Sequence, residues 1–317
     1  MRRAIAAIGR TLVTLGLLIL LFVTYELWGT GIFTARAQSS LKSKFATELQ
    51  QAGDNPVITA PTTPTTATKP TVSRPGHPTT STTQDVTSAT APPEGNPIGL
   101  IDIDKINVHW AFVEGVQLTD LAKGPGHYPG TPLPGQIGNA AIAGHRTTHG
   151  APFFRVNELG PGDKIDITTL TGHYVYEVDQ APEVVDPTDF AVVANTPDAE
   201  LTLTSCNPRY SAATRIVIKA KLLRNVSTKP QLPPKYIKGV KVKPPPKAEL
   251  ATGLEGQSNS VAPSVLWGFI VAVVGGLWWW GFRRWRHPYT WLIGLVPFFV
   301  VLFPFYVYLE RALPNGY

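Results

Sequence analysis

The sequence of 317 residues contains one cysteine, Cys206. A single thiol cannot form a disulfide within its own chain, so the cross-linked frameworks that stabilise small secreted domains are excluded. The membrane segments described below place Cys206 outside the membrane. A lone thiol there is either a small buried hydrophobic side chain or a reactive group, and the residues around it distinguish the two roles.

The chain also lacks any block of Lys or Arg interleaved with aromatic residues. Its 28 Lys and Arg against 22 Asp and Glu give a net charge of only +6. Nucleic-acid binding requires a concentrated basic surface, so nucleic acid is not expected as a partner. The basic residues instead flank apolar segments, at Arg2 and Arg3 near the start and at Arg283 and Arg284 near the end. This is the positive-inside pattern of a membrane protein.

Three apolar segments are predicted to be transmembrane helices: residues 11–30, 263–282 and 291–309. A cleaved signal peptide is the alternative for the first, because Ala35-Arg36-Ala37 resembles a cleavage site. That apolar run extends well past a usual signal-peptide core, which favours a retained anchor. With the basic turn in the cytoplasm, everything between the first and second segments is expected outside the cell.

The composition between these segments changes along the chain. Leu41, Phe45 and Leu49 are spaced four apart and predict a short stalk helix. Residues 60–93 are almost wholly Thr, Pro, Ser and Ala, which predicts a disordered spacer that holds a domain away from the bilayer. In order, the predicted segments are a cytoplasmic N-terminus (1–10), a transmembrane helix (11–30), an extracellular stalk and spacer (31–97), a globular domain (98–223), a Lys/Pro-rich linker (224–262), a transmembrane helix (263–282), a cytoplasmic basic turn (283–290), a transmembrane helix (291–309) and an extracellular tail (310–317).

The globular domain is predicted to be mainly β, as a small barrel or sandwich. Its apolar runs are short, rich in β-branched and aromatic residues, and separated by Gly/Pro turns. No long stretch shows helical periodicity. The clearest strand-like runs are residues 137–143, 164–168, 174–178, 201–206 and 215–222.

Cys206 ends one strand-like run and Arg215 opens the next. A nucleophilic cysteine acts as the thiolate, and a nearby cation favours that form. If the residues between them form a loop joining adjacent strands, Arg215 faces Cys206 across the rim of the barrel. The alternatives are a structural buried cysteine and a solvated arginine at a strand start.

A proton donor is expected among the seven histidines, and His145 is the best placed. It ends an apolar run and begins a polar loop, so a rigid strand would deliver it to an accessible rim. His127 lies in a Gly/Pro-rich loop that is more typical of groove shaping. His145 and His149 have a spacing that binds metals on helices, but no helical pattern or acidic third ligand accompanies them. We therefore expect neither a metal nor a cofactor.

Together these residues resemble a sortase, most closely the actinobacterial class E type. Thr202-Leu203-Thr204-Ser205-Cys206 matches the family's Thr-Leu-x-Thr-Cys strand, with Arg215 on the next strand and His145 about 60 residues upstream. The segments 138–146 and 206–210 also resemble the family's flanking sequences. Ser205 stands where the family usually has threonine. Serine keeps the hydroxyl and lacks the methyl group.

The resemblance implies an eight-stranded sortase-type β-barrel and a cysteine transpeptidase. Cys206 would be the nucleophile, His145 the general acid and base, and Arg215 the residue that binds substrate and stabilises the oxyanion. The substrate would be a C-terminal LPXTG-like or LAXTG-like sorting signal cleaved between Thr and Gly. The partners would be secreted proteins that carry this signal, and a cell-wall precursor amine or pilin lysine as acceptor. Thr204, Ser205, Asn207 and Tyr128 are the substrate-groove candidates.

Two other functions remain open at this point. Another Cys/His cell-wall acyl-transfer enzyme, such as an L,D-transpeptidase, would carry a Ser/Thr-x-Gly-Cys signature, whereas this chain has Leu-Thr-Ser-Cys. A non-catalytic, membrane-anchored β domain that binds wall components would leave Cys206 merely buried.

Overall fold

The computed structural model describes residues 2–54, 91–231, 261–284 and 290–312. Most of the predicted Thr/Pro-rich spacer and Lys/Pro-rich linker lie outside these ranges, as do the centre of the basic turn and the end of the tail. The described parts form a β-barrel, an N-terminal pair of helices that contacts its outer surface, and two C-terminal helices.

Nine strands are found among the described residues, all between Pro97 and Leu222. Every strand-like run that the sequence indicates lies in or overlaps one of them. The strands are β1 (Pro97–Ile103), β2 (Val108–Glu114), β3 (Gly126–His127), β4 (Gly138–Ala143), β5 (Lys164–Thr169), β6 (Gly172–Val178), β7 (Glu183–Val185), β8 (Ala199–Asn207) and β9 (Thr214–Leu222).

Eight of the strands close into a barrel in the order β6-β5-β1-β2-β3-β4-β8-β9, and β9 pairs back to β6. β7 pairs with the opposite end of β9 and stands outside the closed ring. The β2–β3 and β4–β8 pairs are parallel, and the remaining pairs are antiparallel. The predicted mainly-β, eight-stranded barrel is confirmed.

The barrel interior holds the main apolar core. Alternate residues of each strand point inward, so Leu201 and Leu203 of β8 pack with Ile216 and Ile218 of β9 inside the ring. Each fully buried aliphatic side chain contributes about 1.5–3 kcal/mol relative to an exposed one. The intervening residues of β4 and β9 point outward and contribute to a second cluster, which includes Ala141, Ala143 and Val217. This outer cluster is the floor on which the site described below is built.

Five α-helices accompany the strands in the described ranges. The N-terminal helix α1 (Arg2–Thr24) continues through a π-helical turn (Tyr25–Gly29) into α2 (Thr30–Asp54). The others are the single turn α3 (Leu118–Leu121) and the C-terminal helices α4 (Val261–Arg284) and α5 (Thr290–Ala312).

The segment predicted as a stalk contacts the barrel in this structure. α2 is helical, as its spacing predicts, but Leu41 packs with Ala111 and Val113 on the outside of the barrel, and Phe45 is also buried. Leu49, the third residue of the predicted stripe, is 40% exposed. Because α2 follows α1 and docks on the barrel, the barrel lies close to the end of the first apolar segment.

The three long apolar helices pack together. Tyr306 of α5 donates its hydroxyl to the Leu18 carbonyl of α1 at 2.8 Å, and it shares a buried cluster with Val271 of α4. Among the described residues, the segment Val261–Gly281 is long and apolar enough to cross a membrane. Leu12–Thr24 and Ile293–Leu309 are shorter apolar helices, so the count of three spans remains a prediction.

Candidate active site

Cys206, His145 and Arg215 lie at the same end of three neighbouring strands. β4 and β8 run parallel with Ala143 opposite Thr204, so His145 and Cys206 each come two residues after this pair. β9 runs antiparallel to β8 and places Arg215 directly opposite Cys206. The fold therefore brings together three residues that are separated by up to 70 positions in the sequence.

Cys206 and Arg215 belong to the outward-facing set of their strands, and His145 comes two residues after the outward-facing Ala143 of β4. Side chains alternate along a strand, so Cys206 shares a face with Thr204, and Arg215 shares a face with Val217. Val217 belongs to the outer cluster and not to the barrel interior. The candidate site consequently lies on the outer side of the barrel wall and not in the barrel interior.

Burial raises the pKa of the Cys206 thiol, and the positive charges of Arg215 and Arg146 only partly offset it. The side chain is partly exposed and forms no disulfide. Neutral thiol therefore predominates near neutral pH, and the two guanidinium groups stabilise the thiolate when it forms.

The pKa of His145 is shifted in the opposite direction to that of Cys206. Burial, and then the neighbouring His149, hold its pKa well below the usual range, so the imidazole is neutral at rest. Its Nδ1 lies 3.4 Å from the Thr148 hydroxyl. Its Nε2 is enclosed and has no hydrogen-bond partner among the described residues. This arrangement leaves Nε2 as the nitrogen that can exchange a proton with a substrate or with the thiol.

The Arg215 guanidinium is held by its own turn. Its Nη1 donates to the carbonyl oxygens of Ala212 and Thr214 at 2.9 and 3.0 Å. Nearby, hydrogen bonds from Thr188 and, to a smaller extent, the charge of Arg215 lower the pKa of Asp186. A charged donor anchored in this way is pre-organised to meet a developing oxyanion.

Arg146 is a second cation at the site, and the sequence arguments above did not single it out. It is almost fully buried. It donates from Nη1 to the Cys206 carbonyl at 3.1 Å, from Nε to the Phe154 carbonyl at 2.9 Å and from Nη2 to Asn157 Oδ1 at 2.8 Å. Because it directly follows His145, one loop supplies both an imidazole and a cation. In the sequence, its position directly after His145 is the feature that indicates a place at the site.

The four groove candidates fall into different places. The Tyr128 hydroxyl lies 2.8 Å from Thr204 Oγ1 beneath the site, and burial raises its pKa to about 12, so it stays protonated. Asn207 is partly buried and donates to Thr214 Oγ1 at 3.1 Å beside Cys206. Ser205 lies on the inward face and donates to the Gly144 carbonyl at 2.7 Å. Strand alternation thus places Ser205 on the face opposite to Cys206, and its hydroxyl ties β8 to the end of β4.

His127 has a buried structural arrangement. Its Nδ1 lies 2.7 Å from Glu114 Oε2, and its Nε2 lies 2.9 Å from the Pro132 carbonyl. Burial opposes its charge, but the Glu114 carboxylate and these hydrogen bonds outweigh burial and raise its pKa. The pair fixes the start of the loop that carries Tyr128.

Comparisons with known proteins point to one family. The family model described as the sortase domain matches residues 101–223. Sortase SrtE1 of Streptomyces coelicolor is 30% identical over 68% of this chain and 56% of its own length. Sortase D of Bacillus subtilis is 35% identical over 37% of this chain and 58% of its own length. The chain therefore spans little more than half the length of these two curated relatives.

Among solved structures, sortase E of Streptomyces avermitilis is 32% identical, with a TM-score of 0.39 over 43% of this chain and 91% of that one. The domain match, the two curated relatives and the shared motif residues agree with one another. The barrel domain therefore belongs to the sortase family.

Proposed function

We propose that this protein is a membrane-anchored cysteine transpeptidase of the class E type. It cleaves a C-terminal LPXTG-like or LAXTG-like sorting signal between Thr and Gly. It then joins the shortened protein to an amine of a cell-wall precursor or of a pilin lysine. The observation that carries the proposal is the convergence of Cys206, His145 and Arg215 at one end of three adjacent strands, in a chain of the sortase family.

In the first half-reaction, the Cys206 thiolate attacks the carbonyl carbon of the signal threonine. A C–S bond forms, and the carbonyl oxygen takes the negative charge, which the Arg215 guanidinium stabilises. The C–N bond to glycine then breaks, and the His145 imidazolium gives its proton to the leaving amine. The product is a thioacyl enzyme with neutral His145.

In the second half-reaction, the amine of the acceptor attacks the thioacyl carbon. Neutral His145 accepts the proton that the amine loses, and the Cys206 thiolate departs as the new peptide bond forms. Cys206 and His145 return to the protonation states from which the first attack began. Because the nucleophile is regenerated as a free thiolate, a disulfide at Cys206 would stop the reaction.

The protonation states at rest imply that only a minority of molecules is ready to react. Cys206 has a raised pKa and His145 a lowered one, so the neutral pair predominates between those two values. Transfer of the thiol proton to the imidazole creates the reactive thiolate and the required acid in one step. Arg146 and Arg215 favour this step because both stabilise the negative sulfur.

The proposed location is the cell membrane, with several spans and the barrel outside. Support comes from the candidate span Val261–Gly281, from the shorter apolar helices that pack with it, and from the basic residues beside them. An amine acceptor that is itself held at the membrane would meet the barrel there.

The test uses the full-length chain in detergent with a sorting-signal peptide and an amine, and identifies the ligated product by mass. Both LPXTG-type and LAXTG-type peptides are supplied. Cys206→Ala and His145→Ala should abolish ligation, and Arg215→Ala should reduce it by roughly 10²–10³-fold, as expected for loss of an oxyanion donor.

His173→Ala is the matched control for the histidine variant, because His173 is about half exposed and its side chain pairs with Asp166 on the surface. This variant should retain full activity. Ligated product at wild-type levels in Cys206→Ala would show that the thioacyl mechanism is wrong.

A further inference from the structure

The loop that follows His145 has a backbone that its residues disfavour. His149 and Ala151 have φ angles of 51° and 48°, and Gly150 between them has a φ of 73°. Residues with a side chain rarely adopt this left-handed region, and it persists only where surrounding groups hold it in place. The surroundings of residues 149–151 therefore determine where this loop lies.

One side of the loop is held by the barrel. A Cβ atom on Gly150 would lie 2.7 Å from Cη2 of Trp110, so the loop passes directly against this indole ring. The Ala151 amide donates to the Thr148 carbonyl at 2.8 Å and closes a tight turn. These contacts fix the inner side of the loop.

The other side is held by the N-terminal helix. The His149 amide donates to the Thr30 hydroxyl at 3.1 Å, across 119 positions of sequence. Thr30 donates the same hydroxyl to the Glu26 carbonyl at 2.6 Å, so its oxygen lone pairs remain for the loop. Thr30 is 1% exposed.

Further contacts along α2 hold Thr30 against this loop. The Thr34 hydroxyl, one turn later, donates to the Ala122 carbonyl at 2.8 Å. The Gln38 side chain then bonds both the amide and the carbonyl of Ala111. Thr30, Thr34 and Gln38 form one buried stripe, and Thr30 is its N-terminal end, next to the π-helical turn.

His149 connects this helix to the candidate catalytic residue. Its ring lies 4.8 Å from the His145 ring, centroid to centroid, at an interplanar angle of 38°. The backbone of His149 is thus bonded to α2 while its side chain packs on His145. A shift of Thr30 would be passed through His149 to the imidazole.

We propose that Thr30 and His149 are positioning residues for His145, so that docking of the N-terminal helix sets the orientation of the proton-transfer imidazole. The inference rests on the proposed role of His145. It has a consequence for the whole anchor, since α1 continues into α2 through the π-helical turn. Movement of the first apolar helix relative to the barrel would change the position of His145.

The first test measures hydrogen exchange of the full-length chain in detergent and needs no activity. Thr30→Val removes the hydroxyl and keeps the shape of the side chain. It should speed amide exchange in residues 146–151 roughly two- to tenfold, as expected for loss of one hydrogen bond. Thr30→Ser should restore wild-type exchange. Thr34→Val, the control on the same stripe, loses the bonds to the carbonyls of Ala122 and Thr30 and should speed exchange in residues 146–151 clearly less than Thr30→Val does.

The second test measures kcat and KM for peptide ligation by the same variants. Thr30→Val should lower kcat roughly two- to tenfold with little change in KM, because proton transfer is affected and the groove is not. His149→Phe keeps a ring against His145 and should stay close to wild type, whereas His149→Ala should lower kcat as Thr30→Val does.

The outcomes separate the two proposals. If the wild-type chain ligates no peptide but Thr30→Val loosens the loop selectively, the transpeptidase proposal fails and the coupling of helix to loop stands. If Thr30→Val and Thr34→Val have the same effect on the loop and on kcat, Thr30 contributes only to docking and the positioning proposal is overturned. Unchanged loop exchange in Thr30→Val would overturn it as well.

Discussion

At the scale of single residues, the central feature is a thiol and an imidazole whose pKa values are moved apart. Burial raises the pKa of Cys206 above its usual 9.0 and lowers that of His145 below its usual 6.5. Below the imidazole pKa, the thiol–imidazolium form accumulates, and above the thiol pKa, the thiolate–imidazole form accumulates. Between them, the fraction of the reactive thiolate–imidazolium form is small and nearly constant.

We therefore predict a broad plateau in the dependence of kcat/KM on pH. The acid limb should fall below pH 6.5 and the basic limb above pH 9.0, the ordinary values of the two groups. The rate of Cys206 alkylation, measured over the same range, reports the thiolate. It should therefore rise with pH, with its midpoint on the basic limb of the kcat/KM profile. An alkylation midpoint on the acid limb would mean that the thiolate–imidazolium pair predominates at rest, against this assignment.

Arg146 gives a second prediction at this scale. Arg146→Gln removes a charge that favours the thiolate and a donor to the Cys206 carbonyl. We expect the Cys206 pKa to rise and kcat/KM to fall roughly ten- to a hundredfold, the range for a lost hydrogen bond to a charged group. Arg146→Lys should recover part of both. The measurements are the alkylation pH profile and ligation kinetics.

Arg209 provides the matched control. It donates to the Phe154 carbonyl and to Asn157 Oδ1, as Arg146 does, but it has no hydrogen bond to Cys206. Arg209→Gln should leave the alkylation profile in place. If Arg209→Gln and Arg146→Gln moved the profile equally, the effect would come from the shared loop contacts and not from the cation beside the thiol.

The sequence predicts these residues unevenly, for a physical reason. Cys206 and Arg215 adjoin a short loop between paired strands, so their proximity follows from the local strand pattern. The position of His145 depends on the parallel β4–β8 pairing, which no local pattern specifies. The sequence does not predict the roles of Arg146 and Thr30, because both residues bond main-chain groups. A main-chain contact does not require a particular side chain on its partner, so it leaves no pattern in the sequence.

At the scale of elements, α2 behaves as an addition to the barrel wall. β3 is only two residues long and covers β2 only at Val113 and Glu114. Ahead of it, Gln38 bonds the Ala111 amide and carbonyl at 2.8 Å each, and it also donates to the Lys123 carbonyl. One side-chain amide thus supplies the hydrogen bonds that a neighbouring strand would supply to Ala111. The sequence shows the apolar spacing of α2 but gives no sign that a polar residue faces the barrel.

Gln38→Leu in the full-length chain tests this role. The substitution leaves buried main-chain groups of Ala111 and Lys123 without a partner, at a cost of about 1–3 kcal/mol for each group. We expect the barrel to be destabilised by at least that amount for one group and to melt earlier, as followed by limited proteolysis during heating. Gln50→Leu, at an exposed position of the same helix, is the control and should melt like the wild type. Equal melting of the two variants would show that α2 is not bonded to β2 in solution.

At the scale of the whole molecule, the first apolar helix packs against the two C-terminal helices. α1 packs with α4 and α5 through Leu18, Val271 and Tyr306, while α2 docks on the barrel. Both tethers of the barrel therefore converge on one helical cluster. Sequence composition indicates the three apolar segments separately, but their association depends on tertiary contacts between helices nearly 290 residues apart.

This arrangement predicts a definite topology, which the single cysteine makes easy to measure. In a Cys206→Ala background, Val226→Cys lies just after the barrel at a position that is 54% exposed. A membrane-impermeant maleimide should label it in intact cells. His287→Cys, in the predicted cytoplasmic turn, should be labelled only after the membrane is permeabilised. Labelling of both positions in intact cells would mean that α4 does not cross the membrane, which would contradict the predicted topology.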